Sequence, residues 1–315
     1  METIDIHTHG IGGYDTQTTA LEHILKIAEI QGNYGVSEIL PAVYPSSIEE
    51  MRVNMAAVKE AITIQSSEFR AKSQATPNTK DQTPGAYSNE GAKIIGVHLE
   101  GPFLNPSRCG ALNPLSFSYP TPDNLKKLTE GFEDIIKIIT IAPELSGATK
   151  IIKTMADMGI IASMGHSNAT FEEARAGFHA GAKGITHIFN AMRGFHHREP
   201  GIAGFGLINP HVYIEVIADS YHLHPETIKL IFTVKNPEKI IIISDSVKNT
   251  PEAGNRKPET KFHGITNACG KLQGGSTTVV ESARRLVNMG YEKNIIINCI
   301  SRNPGIYING RGIGL

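Results

Sequence analysis

Short runs rich in isoleucine, valine and leucine alternate with amphipathic stretches along most of the chain. The apolar runs fall at Thr3–His7, Glu38–Val43, Lys93–His98, Ile136–Ile141, Ile160–Met164, Lys183–His187, Val212–Ile217 and Lys239–Ser244. They are short for helices, and several are too uniformly apolar for strands with one wet face; Ile240-Ile241-Ile242-Ile243 is the extreme case. A parallel sheet covered on both faces requires such runs. Helical spacing marks Thr19–Gln31, Ser47–Ile64, Pro122–Phe132, Ala148–Met158, Phe171–His179, Pro225–Val234 and Ser276–Met289. The eightfold alternation predicts an α/β fold of the TIM-like (β/α)8 class, with functional residues at the C-terminal strand ends.

Two polar stretches interrupt the rhythm. Residues from about 70 to 91 are rich in Ser, Thr, Asn, Gln, Lys and Pro and predict a mobile surface insertion. Residues from about 246 to 275 follow the eighth strand and predict a loop, or lid, on the active face. With these two allowances, residues 1–315 are expected to form one barrel domain, a size such barrels commonly reach. The formal net charge of −1 gives no electrostatic ground for binding nucleic acid or a membrane surface. No apolar run reaches the roughly 20 residues of a membrane span, and the first residues do not resemble a signal peptide. The three cysteines, Cys109, Cys269 and Cys299, lie far apart and read as reduced thiols in a cytoplasmic protein.

The chemistry-bearing residues cluster at the predicted strand ends. His7-Thr8-His9 closes the first strand, and side chains at i and i+2 share a face, so both imidazoles can enter the barrel mouth. His98-Leu99-Glu100 closes the third strand; His98 reads as a supporting or core histidine one layer deeper. His166 and His187 follow the fifth and sixth strands, and Asp245 follows the eighth, which in a closed barrel adjoins the first. Each residue alone has an ordinary explanation as a turn former, cap or core polar group. Together, the order His-x-His, Glu, His, His, Asp at five of eight strand ends predicts a site for a divalent ion such as zinc or iron. Such an ion would polarise a carbonyl and lower the pKa of a water toward about 7. Asp245 could then take a proton from the water and pass it to a leaving amine.

Several motifs carry a family resemblance. They are Ile4-Asp5-Ile6-His7-Thr8-His9-Gly10, the run from Gly96 to Asn105 containing Glu100, Gly165-His166-Ser167-Asn168-Ala169-Thr170, and Thr186-His187-Ile188-Phe189-Asn190-Ala191-Met192. Arg198-Glu199-Pro200-Gly201-Ile202-Ala203-Gly204, Ile217-Ala218-Asp219-Ser220-Tyr221-His222 and Ser244-Asp245 continue the series. With these motifs the chain resembles the N-acetylglucosamine-6-phosphate deacetylases of the amidohydrolase superfamily. The resemblance implies that Glu100, His166 and His187 hold the main metal, that His7 and His9 match members able to hold a second ion, and that Asp245 is general base and then acid. It further implies substrate contacts at Ala111, Leu112, Asn190, Ala191, Asp219, His222, Leu272, Gln273 and Gly274. Arg198, by the same resemblance, reaches the neighbouring subunit's site in a homodimer, where its planar donor fork would suit a sugar phosphate.

The chain departs from that pattern in three ways. It opens two residues before the first strand, so the family's small β-sandwich is expected to be absent. Leu112 stands where many members have a histidine that polarises the substrate carbonyl, and the stretch Ser246-Val247-Lys248-Asn249 after Asp245 is atypical. These differences keep two alternatives open beside N-acetylglucosamine 6-phosphate hydrolysis. One is deacetylation of another N-acetylated sugar phosphate, such as N-acetylgalactosamine 6-phosphate. The other is a catalytically impaired protein that binds metal or sugar phosphate.

Overall fold

The computed structural model describes residues 2–75, 91–252 and 264–309. Eight parallel strands form the barrel wall: β1 (Ile4–Thr8), β2 (Glu38–Val43), β3 (Val97–Phe103), β4 (Ile136–Ile141), β5 (Ile161–Met164), β6 (Gly184–Ile185), β7 (Tyr213–Ile217) and β8 (Ile240–Ile243). They pair in sequence order, and the seam between β8 and β1 is joined by a parallel bridge between Thr8 and Ser246 and by Asp245 N donating to His7 O at 2.9 Å. The expected (β/α)8 architecture is therefore present.

The uniformly apolar strands are explained by two hydrophobic layers. Ile241 and Ile243 of β8 join Ile4, Ile6, Leu40, Ile138, Ile161 and Ile217 in one cluster, while Ile240 and Ile242 belong to the larger cluster that includes helix residues. Alternate residues thus serve opposite faces of one sheet, and both faces are dry. The helices are α1 (Leu21–Asn33), α2 (Ile48–Ala75), α3 (Pro122–Thr129), α4 (Ala148–Asp157), α5 (Phe171–His179), α6 (Gly201–Ile208), α7 (Pro225–Val234), α8 (Val279–Asn288), α9 (Lys293–Cys299) and α10 (Arg302–Asn309). Thr170 with Glu173 and Thr278 with Glu281 form reciprocal capping boxes that fix the starts of α5 and α8.

Three elements lack the sequence signal used to find the others. Helix α6 reads Gly-Ile-Ala-Gly-Phe-Gly-Leu-Ile and is buried from Gly201 to Leu207, so it has no polar face and no amphipathic period. Helices α9 and α10 follow the eighth βα unit. On α10, Tyr307 packs against Tyr213 with ring centroids 4.8 Å apart, and Asn303 donates to Pro237 O and Ile240 O, so the helix caps the N-terminal end of the barrel. Helix α2 runs on to Ala75, taking in the start of the expected insertion; residues 76–90 lie outside the described residues, as do residues 253–263 of the expected active-face loop.

Two strands are irregular, and both carry site residues. Between Asp5 and Thr8 the register of β1 against β2 slips by one residue. Between Leu99 and Phe103 of β3, four residues advance while β4 advances only from Ile139 to Ile141. Bulges of this kind re-aim side chains. Here one lets Ile4 and Ile6 fill the inner core while His7 and His9 reach the mouth.

Lys235 anchors α6 to α7. The residue is 2% exposed, and its ammonium donates to Gly206 O at 2.7 Å and Asn209 O at 2.6 Å. Burial, with Lys239 nearby, pushes its pKa down to about 7 from the ordinary 10.5. A lysine depressed on folding weakens the fold while the unfolded chain holds the proton more tightly. This penalty is full below about pH 7 and fades as pH rises toward 10.5. Lys235→Met should cost about 1–3 kcal/mol, by leaving the buried Gly206 O and the part-buried Asn209 O without their donor. Relative to the mutant, the wild type should gain stability between pH 7 and 10, measurable by denaturant unfolding across that range.

Candidate metal centre and active site

Glu100 stands at the centre of the C-terminal mouth. Its Oε1 lies 3.1 Å from His166 Nε2 and 3.0 Å from His187 Nε2, and its Oε2 lies 3.2 Å from His9 Nε2. His166 Nε2 and His187 Nε2 are 3.1 Å apart, and His7 Nε2 and His9 Nε2 are 3.2 Å apart. Asp245 Oδ1 completes the ring at 3.5 Å from His7 Nε2 and 3.6 Å from His9 Nε2. All six side chains are buried. The structure thus gathers every strand-end residue expected to take part in ion binding or proton transfer.

Three of the six are held in a strained backbone conformation. His166 (φ 44°), His187 (φ 32°) and Asp245 (φ 48°) are left-handed, and each lies two residues beyond the end of its strand, β5, β6 or β8. Non-glycine residues adopt this region at a cost and persist there when the surroundings dictate it, commonly at functional sites. The eighth strand's exit is further constrained by Gly274, where an added Cβ would lie 2.6 Å from Asp245 O.

The donor set fits a divalent ion. His166 Nδ1 is 3.0 Å from Arg108 O, an acceptor only, so Nδ1 carries the hydrogen in the neutral ring and the Nε2 lone pair faces Glu100 and His187. Lone pairs pointed at one another and at a carboxylate repel unless a cation or proton sits among them. The groups His7–His9–Glu100 and Glu100–His166–His187 each bring three ligand atoms within 4.8 Å of one another. Imidazole and carboxylate suit zinc and iron alike.

Without an ion, the charges reflect this crowding. Burial works to raise the pKa of Glu100, but hydrogen bonds and charge from His166, His187 and His9 prevail and hold it well below the usual range. Burial lowers His187, yet the bond to Glu100 and its charge carry it up to about 8. Burial and then the charge of Glu100 push Asp245 well above the ordinary value. Burial holds His7 well below its own.

Among the expected substrate contacts, Ala111, Leu112 and Gln273 line a cavity of about 350 Å³ with Tyr44 and Lys248. Gly110 lies over the site, since an added Cβ would be 3.2 Å from Ala191 Cβ and 3.7 Å from His166 Cε1. Asn190 is half-buried beside the Glu100–His166–His187 cluster, its amide donating to His187 O and Ile188 O. Leu272 and Gly274 bound a short strand paired with Ile265–Thr266. Asp219 takes hydrogen bonds on both oxygens, from Tyr221 N and His222 N on Oδ1, and from His222 Nδ1, Ser276 N and Ser276 Oγ on Oδ2. Burial alone would raise its pKa, but His222 and these amides hold it well below normal. Arg198 is not brought to the cluster within one chain; it is exposed, and its Nη1 meets His197 Nε2 at 2.9 Å.

Sequence reasoning missed Glu215 and Tyr44. Glu215 is 1% exposed at the middle of β7 and places Oε2 3.3 Å from His7 Nδ1; burial raises its pKa to about 7. Its signal was a carboxylate inside an otherwise apolar strand. Tyr44, just past β2, stacks on His9 with centroids 3.8 Å apart and planes 13° off parallel. A lone tyrosine after a strand has no comparable signature. His98, as expected, is satisfied in the core: Nδ1 donates to Ile6 O at 3.0 Å, Nε2 accepts from Thr140 Oγ1 at 2.9 Å, and burial lowers its pKa to about 3.

A parallel barrel with two imidazole–carboxylate clusters at its C-terminal mouth has the layout of metal-dependent hydrolases. No family model matches the chain. The chain is 36% identical over 247 residues to an N-acetylglucosamine-6-phosphate deacetylase from Bacillus subtilis, covering 78% of this chain and 57% of that protein. It is 29% identical over 317 residues to an N-acetylgalactosamine-6-phosphate deacetylase from Escherichia coli O157:H7, covering 98% and 78%. The crystal structure of N-acetylglucosamine-6-phosphate deacetylase from Thermotoga maritima superposes with a TM-score of 0.77 at 25% identity, covering 97% of this chain and 77% of that one. The chain belongs to the N-acetylglucosamine-6-phosphate deacetylase family.

Because His187 is raised to about 8, an ion entering at pH 7 must displace its proton. Proton release on zinc binding should therefore fall, and apparent affinity rise, as pH climbs from 7 to 9; titration calorimetry in buffers of different ionisation enthalpy measures both. At a hundredfold excess over Kd, zinc should stabilise the fold by about 2.7 kcal/mol, and Glu100→Gln should remove most of that gain.

Proposed function

We propose that this chain hydrolyses the acetamide of N-acetylglucosamine 6-phosphate to glucosamine 6-phosphate and acetate. The observation that carries this reading is Glu100 shared between two imidazole pairs, with Asp245 facing His7 and His9. Glu100, His166 and His187 would hold the main ion, zinc or iron, and His7 with His9 a second. A bound ion would supply Lewis-acid polarisation of the acetamide carbonyl and acidify the attacking water. Asp245 takes a proton from that water as it adds to the carbonyl carbon. It delivers the proton to the nitrogen as the C–N bond breaks, giving acetate and the free amine. Burial beside Glu100 raises the proton affinity of Asp245 in the ion-free site; a bound ion's positive charge would lower it again, leaving the carboxylate free to take the proton and then return it.

Asn190, Ala191 and His222 would hold the sugar phosphate, with Ala111, Leu112, Leu272, Gln273 and Gly274 shaping the remaining wall. Asp219 would act in part by orienting His222: with Nδ1 tied to Asp219 Oδ2 at 3.0 Å, Nε2 is left for the phosphate. Arg198 would serve the neighbouring site of a homodimer, which accounts for its outward position in one chain. Residues 1–315 would act as one catalytic domain in the cytoplasm. Three unpaired cysteines accord with that location, and no helix among the described residues is long and apolar enough to cross a membrane. A second substrate, N-acetylgalactosamine 6-phosphate, stands beside it because one relative matched over 98% of this chain is named for that epimer, while another matched over 98% is named for the glucosamine compound.

The test is acetate release from both epimers, with and without added zinc or iron after chelation, and from the unphosphorylated sugar. Metal-dependent release requiring the phosphate is expected; no release from either epimer by metal-loaded protein would overturn the reading. Asp245→Asn should keep its ions and lose about 10²–10⁴-fold in kcat. Arg198→Ala should raise KM for the phosphorylated sugar, and sedimentation should show a dimer.

A further inference from the structure

The two nitrogens of His7 have different company. Nε2 faces His9 Nε2 at 3.2 Å, Asp245 Oδ1 at 3.5 Å and Glu100 Oε1 at 3.7 Å. Nδ1 faces only Glu215 Oε2 at 3.3 Å among the described residues. Glu215 occupies the centre of β7, where Tyr213, Ile214, Val216 and Ile217 are all buried. A carboxylate in the wall of a dry barrel is unfavourable for folding alone, and its Oε1 has no hydrogen-bond partner among the described residues. An apolar residue would suit the strand better, so the acid answers to something other than packing.

His98 does not provide an alternative anchor. Its ring packs 4.4 Å from that of His7, centroid to centroid, but both its nitrogens are engaged, by Ile6 O and Thr140 Oγ1. Tyr44 braces His9 by stacking, which fixes the ring plane but selects neither nitrogen. Glu215 is thus the group placed to set the tautomer of the His7–His9 pair.

We propose that Glu215 is a positioning residue: it accepts the Nδ1–H of His7, turns the Nε2 lone pair inward, and so makes His7, His9 and Glu100 a second divalent-ion site distinct from Glu100–His166–His187. A carboxylate behind a ligating imidazole fixes ring orientation and raises ligand basicity. This inference rests on reading both clusters as ion sites.

Zinc titration of the metal-free protein, read by calorimetry and elemental analysis, tests it. The wild type should take up two ions per chain. Glu215→Gln should keep one at unchanged affinity and bind the other about 10–100-fold more weakly. His7→Ala should show the same selective loss, and the double variant should be no worse than His7→Ala, because Glu215 acts through that ring. Two ions bound at wild-type affinity by Glu215→Gln would overturn the proposal. So would loss of both ions, or an added loss on top of His7→Ala, since either marks a general structural role. Uptake of one ion by the wild type would overturn it by removing the second site, and uptake of none would overturn the metal reading itself.

Discussion

A single buried carboxylate, Glu100, sets the terms for the rest of the site. Both its oxygens point at imidazole nitrogens contributed by the far ends of β1, β5 and β6. Removing that charge from water is costly, and only positive charge among the imidazoles makes the arrangement favourable. The barrel supplies the rigidity that keeps the donors converged, because its strands are buried on both faces and cannot slide without exposing a hydrophobic layer. The bulges in β1 and β3 and the left-handed residues after β5, β6 and β8 are local departures from ideal geometry, and each delivers a side chain to this one point.

Much of this was legible in the chain because its two periods are clean. Isoleucine runs such as Ile240–Ile243 declare a sheet with two dry faces, and the histidines and acids just past those runs declare a rim. Helix α6 was not legible because a helix buried all round has no periodicity to read, and α9 and α10 fall after the alternation has ended. In the site, residues at strand ends were legible because the topology converts sequence position into spatial position. Glu215 and Tyr44 were not, because their importance depends on which neighbour they meet: His7 across the barrel wall and His9 across a stacking contact. The positive φ angles were not legible either: histidine and aspartate adopt the left-handed region more readily than most residues, but most of them lie elsewhere, so the residue type alone does not mark the position.

The outer shell divides the labour between orientation and charge. Arg108 O orients His166, Asp219 orients His222, and Thr140 satisfies His98 without drawing it toward the mouth. Each link uses a backbone carbonyl, a carboxylate or a hydroxyl according to whether the ring must donate or accept. Asp219 also reaches Ser276 beyond the eighth strand, so one carboxylate ties the loop after β7 to the segment leading into α8. Movement of that segment is thereby coupled to the His222 ring.

The seating of Tyr307 and Asn303 against the N-terminal strand ends closes that end of the barrel. If the C-terminal mouth holds an ion and a sugar phosphate as proposed, both would be reached from that loop-lined end. A bound sugar would then stand between the ion and solvent, and plentiful substrate would guard the metal against scavengers that could strip it at rest.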